Sequence, residues 1–313
     1  MSFRLFQQKI REEIEKSNNP SLYDEFWLWL FEVTGEKRAF YISNMDEPFP
    51  DQSIDQIFEM MQRRITGEPL AYIVGKTSFY GRDFKIRKNI LVPRSDSEIM
   101  IEILLSFLGF DRDGLWNISK SSEFLQSSSA EDHFSGGAGN TFFFYDFCSG
   151  SGCLGITVFL ELQKRNVIAE GILTDLSQEA VTLARENCIQ FNIHHQLSCV
   201  QADLTAGQSR LADFILSNPP YIPESDIDFL MKEVSCFEPR LALDGGSDGL
   251  LFYNRLAEEA MPLLKKNGVL LVEHGHDQAK SVANVFNSRG YTHTQCFKDY
   301  GGNDRITLIW NKF

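Results

Sequence analysis

From residue 142 onward, short apolar runs alternate with stretches of helical periodicity, and this alternation constrains the fold more than any other feature of the chain. Residues 141–145, 169–174, 214–217, 268–273 and 306–310 read as strands. Residues 154–162, 178–191, 250–264 and 279–287 carry apolar side chains at helical spacing. Apolar strands separated by helices form a mostly parallel α/β sheet covered on both faces. Ligands of such sheets bind at the carboxyl ends of the strands, where the strand order reverses. Functional residues are therefore expected at strand ends.

The first strand end is Asp146-Phe147-Cys148-Ser149-Gly150-Ser151-Gly152. Its small residues let the backbone approach a ligand, and free N–H groups at the following helix start bind a polar group. A Gly-rich turn alone fits many nucleotide folds, or no ligand at all. Asp175 ends the next strand, where a carboxylate accepts from both hydroxyls of a ribose. Asp203, at a third strand end, is placed to accept from an adenine amino group while Leu204 packs on the ring. Together these describe an adenosine-containing ligand. Asp146 precedes the turn and no G-x-G-x-x-G pattern occurs, so S-adenosylmethionine is favoured over a dinucleotide.

The fourth strand end is Ser217-Asn218-Pro219-Pro220-Tyr221. Two prolines stop the ladder and stiffen the turn. The Asn218 side-chain oxygen and the Pro219 carbonyl form a pair of acceptors for both protons of a planar NH2 group, and Tyr221 offers it a flat face.

Asn-Pro-Pro-Tyr in this setting resembles the motif of methyltransferases acting on planar NH2 groups, on adenine or on protein glutamine. The rest of the chain is similar to the second kind, the HemK/PrmC-type release-factor glutamine N5-methyltransferases. The likeness runs through Arg63-Arg64-Ile65-Thr66-Gly67-Glu68-Pro69-Leu70-Ala71-Tyr72-Ile73 and Leu91-Val92-Pro93-Arg94-Ser95-Asp96-Ser97-Glu98. It continues in Phe237-Glu238-Pro239-Arg240 to Leu250, in Glu273-His274-Gly275 with Gln278, and in Lys298-Asp299 to Arg305. The resemblance implies a Rossmann-like class I methyltransferase domain with a seven-stranded sheet, preceded by a small helical domain and a β-hairpin. It implies methyl transfer from S-adenosylmethionine, leaving S-adenosylhomocysteine, to the glutamine of the Gly-Gly-Gln loop of class-1 peptide-chain release factors. Asn218, Pro219 and Tyr221 would be catalytic. Asp146, Cys148, Ser149, Gly150, Ser151, Gly152, Asp175, Asp203, Leu204 and Asn218 would hold the cofactor. Pro220, Arg94 and Glu98 would join Asn218, Pro219 and Tyr221 at the substrate. Cys148 departs from the family's usual Gly and Ser95 from its frequent Pro, and the Ser-rich linker is longer than usual.

The expected boundaries are a helical substrate-recognition domain over 1–71, a hairpin over 72–92 and the methyltransferase domain over 93–313. In the first, Phe3, Phe6, Ile10 and Ile14 share one helical face; Phe26, Leu28, Leu30 and Phe31 follow, then Ile54, Ile57, Phe58 and Met61. Ile73-Val74, Ser78-Phe79-Tyr80 and Phe84-Lys85-Ile86 read as strand pieces about a turn at Gly81-Arg82-Asp83. Residues 111–141, rich in Ser and Gly without apolar period, read as a flexible insertion.

Composition limits the partners. The 313 residues carry 43 acidic and 30 basic side chains, a net charge of −13. Such a chain is poorly suited to a phosphate backbone, so no nucleic-acid partner is expected and a DNA adenine methyltransferase is disfavoured. A ribosomal-protein glutamine methyltransferase and a non-catalytic release-factor-binding protein are also compatible with these residues. The six cysteines form no C-x-x-C, and no apolar stretch is long enough for a membrane span, so a cytoplasmic protein with reduced thiols is expected. His274-x-His276 lacks companion ligands at metal spacing, and no metal is expected.

Overall fold

A computed structural model describes residues 1–110 and 141–310. The insertion read over 111–141 lies, except for Thr141, outside the described residues. The described chain divides into two compact units: Met1–Lys76 with Met231–Phe237, and the remainder.

The first unit is helical: α1 (Phe3–Ser17), α2 (Leu22–Thr34), α3 (Arg38–Ser43), α4 (Asp51–Ile65) and α5 (Leu70–Val74). Phe3, Phe6, Ile10 and Ile14 line the buried face of α1, as their spacing requires, and meet Ile54, Ile57 and Met61 of α4. On α2 the buried face is Leu22, Phe26, Trp29 and Leu30. Leu28 and Phe31 point outward, because an apolar run longer than a half-turn cannot all face one core. Ile73 and Val74, expected as strand, instead close α5. Pro69 opens that helix, and Gly75 (φ +79°) ends it with its N–H donating to the Ala71 carbonyl at 2.8 Å. Arg64 pairs with Glu25 (2.9 Å) and with Glu233 (3.4 Å) of the returning segment.

The second unit starts at Thr77, one residue into the hairpin of β1 (Lys76–Phe79) and β2 (Arg82–Lys85). Its turn is Tyr80-Gly81, both left-handed (φ +52° and +70°), rather than residues 81–83. Two left-handed central residues match the twist of the flanking strands. Phe79 and Phe84 are buried with α6 (Glu98–Phe107).

The main sheet comprises β3 (Phe142–Phe147), β4 (Ala169–Asp175), β5 (Leu197–Gln201), β6 (Ala212–Ser217), β7 (Leu264–Glu273), β8 (His293–Lys298) and β9 (Asp304–Trp310). Its order is β5-β4-β3-β6-β7-β9-β8, parallel from β5 to β7, with β9 antiparallel to both its neighbours. Helices α7 (Cys153–Lys164) and α8 (Gln178–Gln190) pack with α6 on one face. On the other face lie α9 (Leu251–Glu259) and α10 (Ala279–Asn287). β3 shows why both faces are covered. Phe144 enters the first core and Phe143, Tyr145 and Phe147 the second. Phe144 stacks on Phe214 (5.0 Å) and lies over Gly171, where a Cβ would come within 2.6 Å of the ring.

Three elements differ from their sequence reading. The helix expected to reach 264 stops at Glu259; Met261–Leu263 turns tightly around Pro262, and β7 starts at Leu264. β8, absent from the sequence reading, is a half-exposed edge strand without an apolar run. β5 was legible only through its end near Asp203. The strand order reverses between β4, on one side of β3, and β6, on the other. The carboxyl ends of β3 and β6 thus open a crevice.

Candidate active site

The turn after β3 winds through left-handed residues at Cys148 (φ +59°), Gly150 (+54°) and Gly152 (+78°) before α7 begins. Asp146 lies behind this turn, wholly buried, with its Oδ2 accepting from the Gly155 N–H at 2.9 Å. Burial pushes its carboxyl up to about 7. A Cβ on Gly155 would stand 2.9 Å from that oxygen, and one on Gly152 would stand 3.0 Å from Leu173. These glycines let α7 start directly against the sheet.

At the end of β4, Asp175 braces the turn. Its Oδ2 accepts from the Gly150 N–H and its Oδ1 from the Ser177 N–H, both at 2.9 Å. Each oxygen keeps a further lone pair for a ligand. Burial raises its proton affinity. After β5, Leu204 is left-handed (φ +49°) and its carbonyl accepts from Thr174 Oγ1 at 3.1 Å. Asp203 is half-exposed, and its Oδ1 accepts from Arg255 Nη1 at 2.7 Å. Arg255 also holds Glu259 (2.9 Å).

At the end of β6, the Asn218 Nδ2 donates to Ser97 Oγ at 3.3 Å. The chain beyond it is buttressed. Gln278 Nε2 donates to the Tyr221 carbonyl (2.9 Å), and Gln278 Oε1 accepts from the Gly275 N–H (2.8 Å). A Cβ on Gly245 would stand 2.8 Å from the Tyr221 backbone, so the Gly245-Gly246 strand of the loop fits only without side chains. Burial raises the Tyr221 phenol well above its ordinary value.

These ends surround a cavity of about 270 Å³. Cys148, Ser149, Gly150, Ser151, Asp175, Asp203, Leu204, Asn218 and Pro220 line it. Asp146, Gly152, Pro219, Tyr221, Arg94 and Glu98 do not. Arg94 Nη2 donates to Glu238 (2.7 Å), and Glu98 accepts from the Tyr80 N–H (2.8 Å), so both are engaged in holding loops together. Sequence reasoning missed Ser97, Arg255 and Glu273, the buried last residue of β7. Ser97 and Glu273 stand in strings that carry the family likeness, but nothing local marks the role of any of the three, because each reaches the site from another element. Cys148 and Cys153 are weak nucleophiles: burial pushes the first thiol up, and the second up to about 12.

The lining has three carboxylates, Asp175, Glu179 and Asp203, and among the described residues no Lys, Arg or His. A pyrophosphate would meet like charge there, whereas a cationic sulfonium and ammonium meet opposite charge. The Ser149 hydroxyl is buried in the turn without a hydrogen-bond partner, a donor left over for a bound group. The residues present thus fit S-adenosylmethionine. Both His274 nitrogens are engaged, with the Gly275 carbonyl (2.8 Å) and Thr307 Oγ1 (2.9 Å). Among the described residues no group of three or more His, Cys, Asp or Glu is placed to hold a metal. No described helix is long and apolar enough to cross a membrane.

Comparison with known proteins supports this reading. Residues 7–75 match the PrmC N-terminal domain, and residues 133–235 match the methyltransferase small domain. The release factor glutamine methyltransferase of Clostridium botulinum is 29% identical over 94% of this chain and 93% of its own. The Rickettsia prowazekii bifunctional methyltransferase is 29% identical, and this chain spans about half its length (54%). The hMettl16 catalytic domain, solved in complex with a 3′UTR hairpin, shares the fold at TM-score 0.54 and 13% identity, covering 85% of this chain and 83% of its own. The release factor glutamine methyltransferase of Caulobacter vibrioides is 33% identical over 84% of this chain and 81% of its own. Identity at that level over most of both chains goes beyond a shared fold, and it places the chain in the release factor glutamine methyltransferase family.

Proposed function

We propose that the chain methylates the N5 side-chain amide of the glutamine in the Gly-Gly-Gln loop of class-1 peptide-chain release factors. The observation that carries this reading is the position of Asn218, at the end of β6 on the wall of a cavity rich in carboxylates. The methyl donor is S-adenosylmethionine, which when bound supplies an electrophilic methyl group on a sulfonium, and S-adenosylhomocysteine is left. Asp175 would hold the ribose, Asp203 and Leu204 the adenine end, and the turn Cys148 to Gly152 the remainder, with Asp146 supporting that turn from behind.

An amide nitrogen is a poor nucleophile, because its lone pair is delocalised into the carbonyl. Catalysis therefore rests on orientation. Asn218 Oδ1 and the Pro219 carbonyl would accept from the two amide protons, and Tyr221 would bound the amide plane. Well-oriented reactants can gain up to roughly 7–11 kcal/mol. Charge develops on the nitrogen during attack, so acceptors aimed at its protons favour the transition state over the ground state. Arg94 and Glu98 would act at the protein substrate, and the helical unit would bind the body of the factor.

The test is Asn218→Ala assayed with labelled S-adenosylmethionine. Transfer to an intact release factor should be abolished while cofactor affinity is largely kept, and wild-type protein should not label a factor whose Gly-Gly-Gln glutamine is changed. Label on duplex DNA or on a ribosomal protein instead would reject the reading.

A further inference from the structure

We propose that Glu273 is a positioning residue that sets which end of the Asn218 amide faces the substrate. This rests on the function proposed above and adds to it a residue that does not itself touch the reacting groups.

Ser217 is paired with Val272 across β6 and β7, so Asn218 and Glu273 leave neighbouring strands side by side. Glu273 is 1% exposed, and its Oε2 makes no hydrogen bond of ordinary geometry. Ser97, also buried, completes the group from the turn Ser95–Ser97. Asn218 Nδ2 donates to Ser97 Oγ (3.3 Å). The β6–β7 register sets Glu273 next to Asn218, whose amide is bonded to Ser97, and both of these side chains favour the ionised form of its carboxyl.

The direction of these bonds matters. An ionised carboxylate only accepts, whereas a hydroxyl accepts and donates. With Glu273 ionised, the Ser97 proton is drawn to the carboxylate, and Ser97 Oγ is left to accept from Asn218 Nδ2. The NH2 end of Asn218 is thereby held inward and Oδ1 is presented to the cavity, as an incoming amide NH2 requires. In the opposite polarity Ser97 would donate to Oδ1, and Asn218 would oppose its own NH2 to that of the substrate. A protonated Glu273 can donate and so supports that unproductive polarity.

Charged and titratable groups around Glu273 come from several elements. Arg305 of β9 favours its ionised form, and Asp96 of the Ser95–Ser97 turn opposes it. Arg305 is itself paired with Asp299 (3.1 Å) and Asp96 (3.6 Å). Tyr221, Tyr253 and Cys153 feel its charge, and burial holds all three neutral. Burial dominates and moves the Glu273 carboxyl up to about 7.

The experiment uses the full chain, S-adenosylmethionine and a release factor. Glu273→Gln keeps the shape but donates as well as accepts. It should lower kcat roughly 10–100-fold and leave KM and cofactor affinity near wild type. Wild-type kcat should rise with pH through about 7, and the variant should lose that rise. Ser97→Ala should lower kcat similarly, Ser97→Thr should restore it, and the Ser97→Ala/Glu273→Gln double variant should be no worse than either single one. A Glu273→Gln enzyme with wild-type kcat and pH profile would overturn the proposal. If that variant does not fold, full activity in Ser97→Ala overturns it equally. A wild-type protein that leaves release factors unlabelled rejects the proposed function instead, and so the two failures are distinguishable.

Discussion

Cys148 holds a backbone conformation that costs a side chain dearly. At φ +59° its Cβ is crowded against the backbone, a penalty of about 1–2 kcal/mol for residues other than glycine. The sequence reading singled out Cys148 as a departure from the family's usual Gly; the structure adds the handedness. Substitution by Ala keeps the Cβ and removes the sulfur, whereas substitution by Gly removes both. The Gly variant should therefore be more stable than the Ala variant by about 1 kcal/mol, as read from urea denaturation midpoints. Equal midpoints would mean that the turn relaxes at no cost. Leu204 (φ +49°) shows the same conformation at the next wall of the cavity.

At the scale of elements, one buried carboxylate helps tie the hairpin to α7. Glu161 of α7 has no solvent exposure and accepts from Arg82 of β2, Lys164 and Arg165. These three cations bring its carboxyl down to about 2 in spite of burial. A depressed carboxyl stabilises the fold above its unfolded value, and that stabilisation is lost as pH falls through about 2. Glu161→Gln should cost on the order of 3 kcal/mol near neutral pH, and its melting temperature should fall less than that of wild type on acidification. Thermal melts at a series of pH values check this; parallel curves would remove Glu161 from the tie. The hairpin itself was legible in sequence, but its turn was read a residue late. Tyr80 is not a residue type that announces a left-handed turn.

For the whole molecule, charge decides which partners are compatible. With 43 acidic and 30 basic residues the chain repels a polyanion at long range. The cavity repeats this locally, since the carboxylates Asp175, Glu179 and Asp203 line it. Fluorescence anisotropy with a labelled duplex near physiological salt should show no saturation below about 10 μM. Tighter binding would reveal a local basic track that outweighs the net charge. The chain path is also a property of the whole. Met231–Phe237, shortly after Tyr221, belongs to the first unit, where Glu233 meets Arg64. Nothing in the composition of that segment distinguishes it from the sheet domain on either side.

The sequence by itself determined the alternation of strands and helices, the Gly-rich turn, the strand-end acids and the Asn-Pro-Pro-Tyr turn. Each is written in consecutive residues, because helical and strand periods and turn chemistry are local. It also determined the family, through long strings of matched residues. Tertiary structure alone decided that Asp146 supports the turn from behind, that Asp203 is held by Arg255, and that Glu98 is engaged by the Tyr80 backbone. It alone brought Ser97 to Asn218, 121 positions away, and set Glu273 beside them. Such encounters depend on strand order and register, which no short stretch of sequence encodes, and they decide which atom of Asn218 faces the cavity.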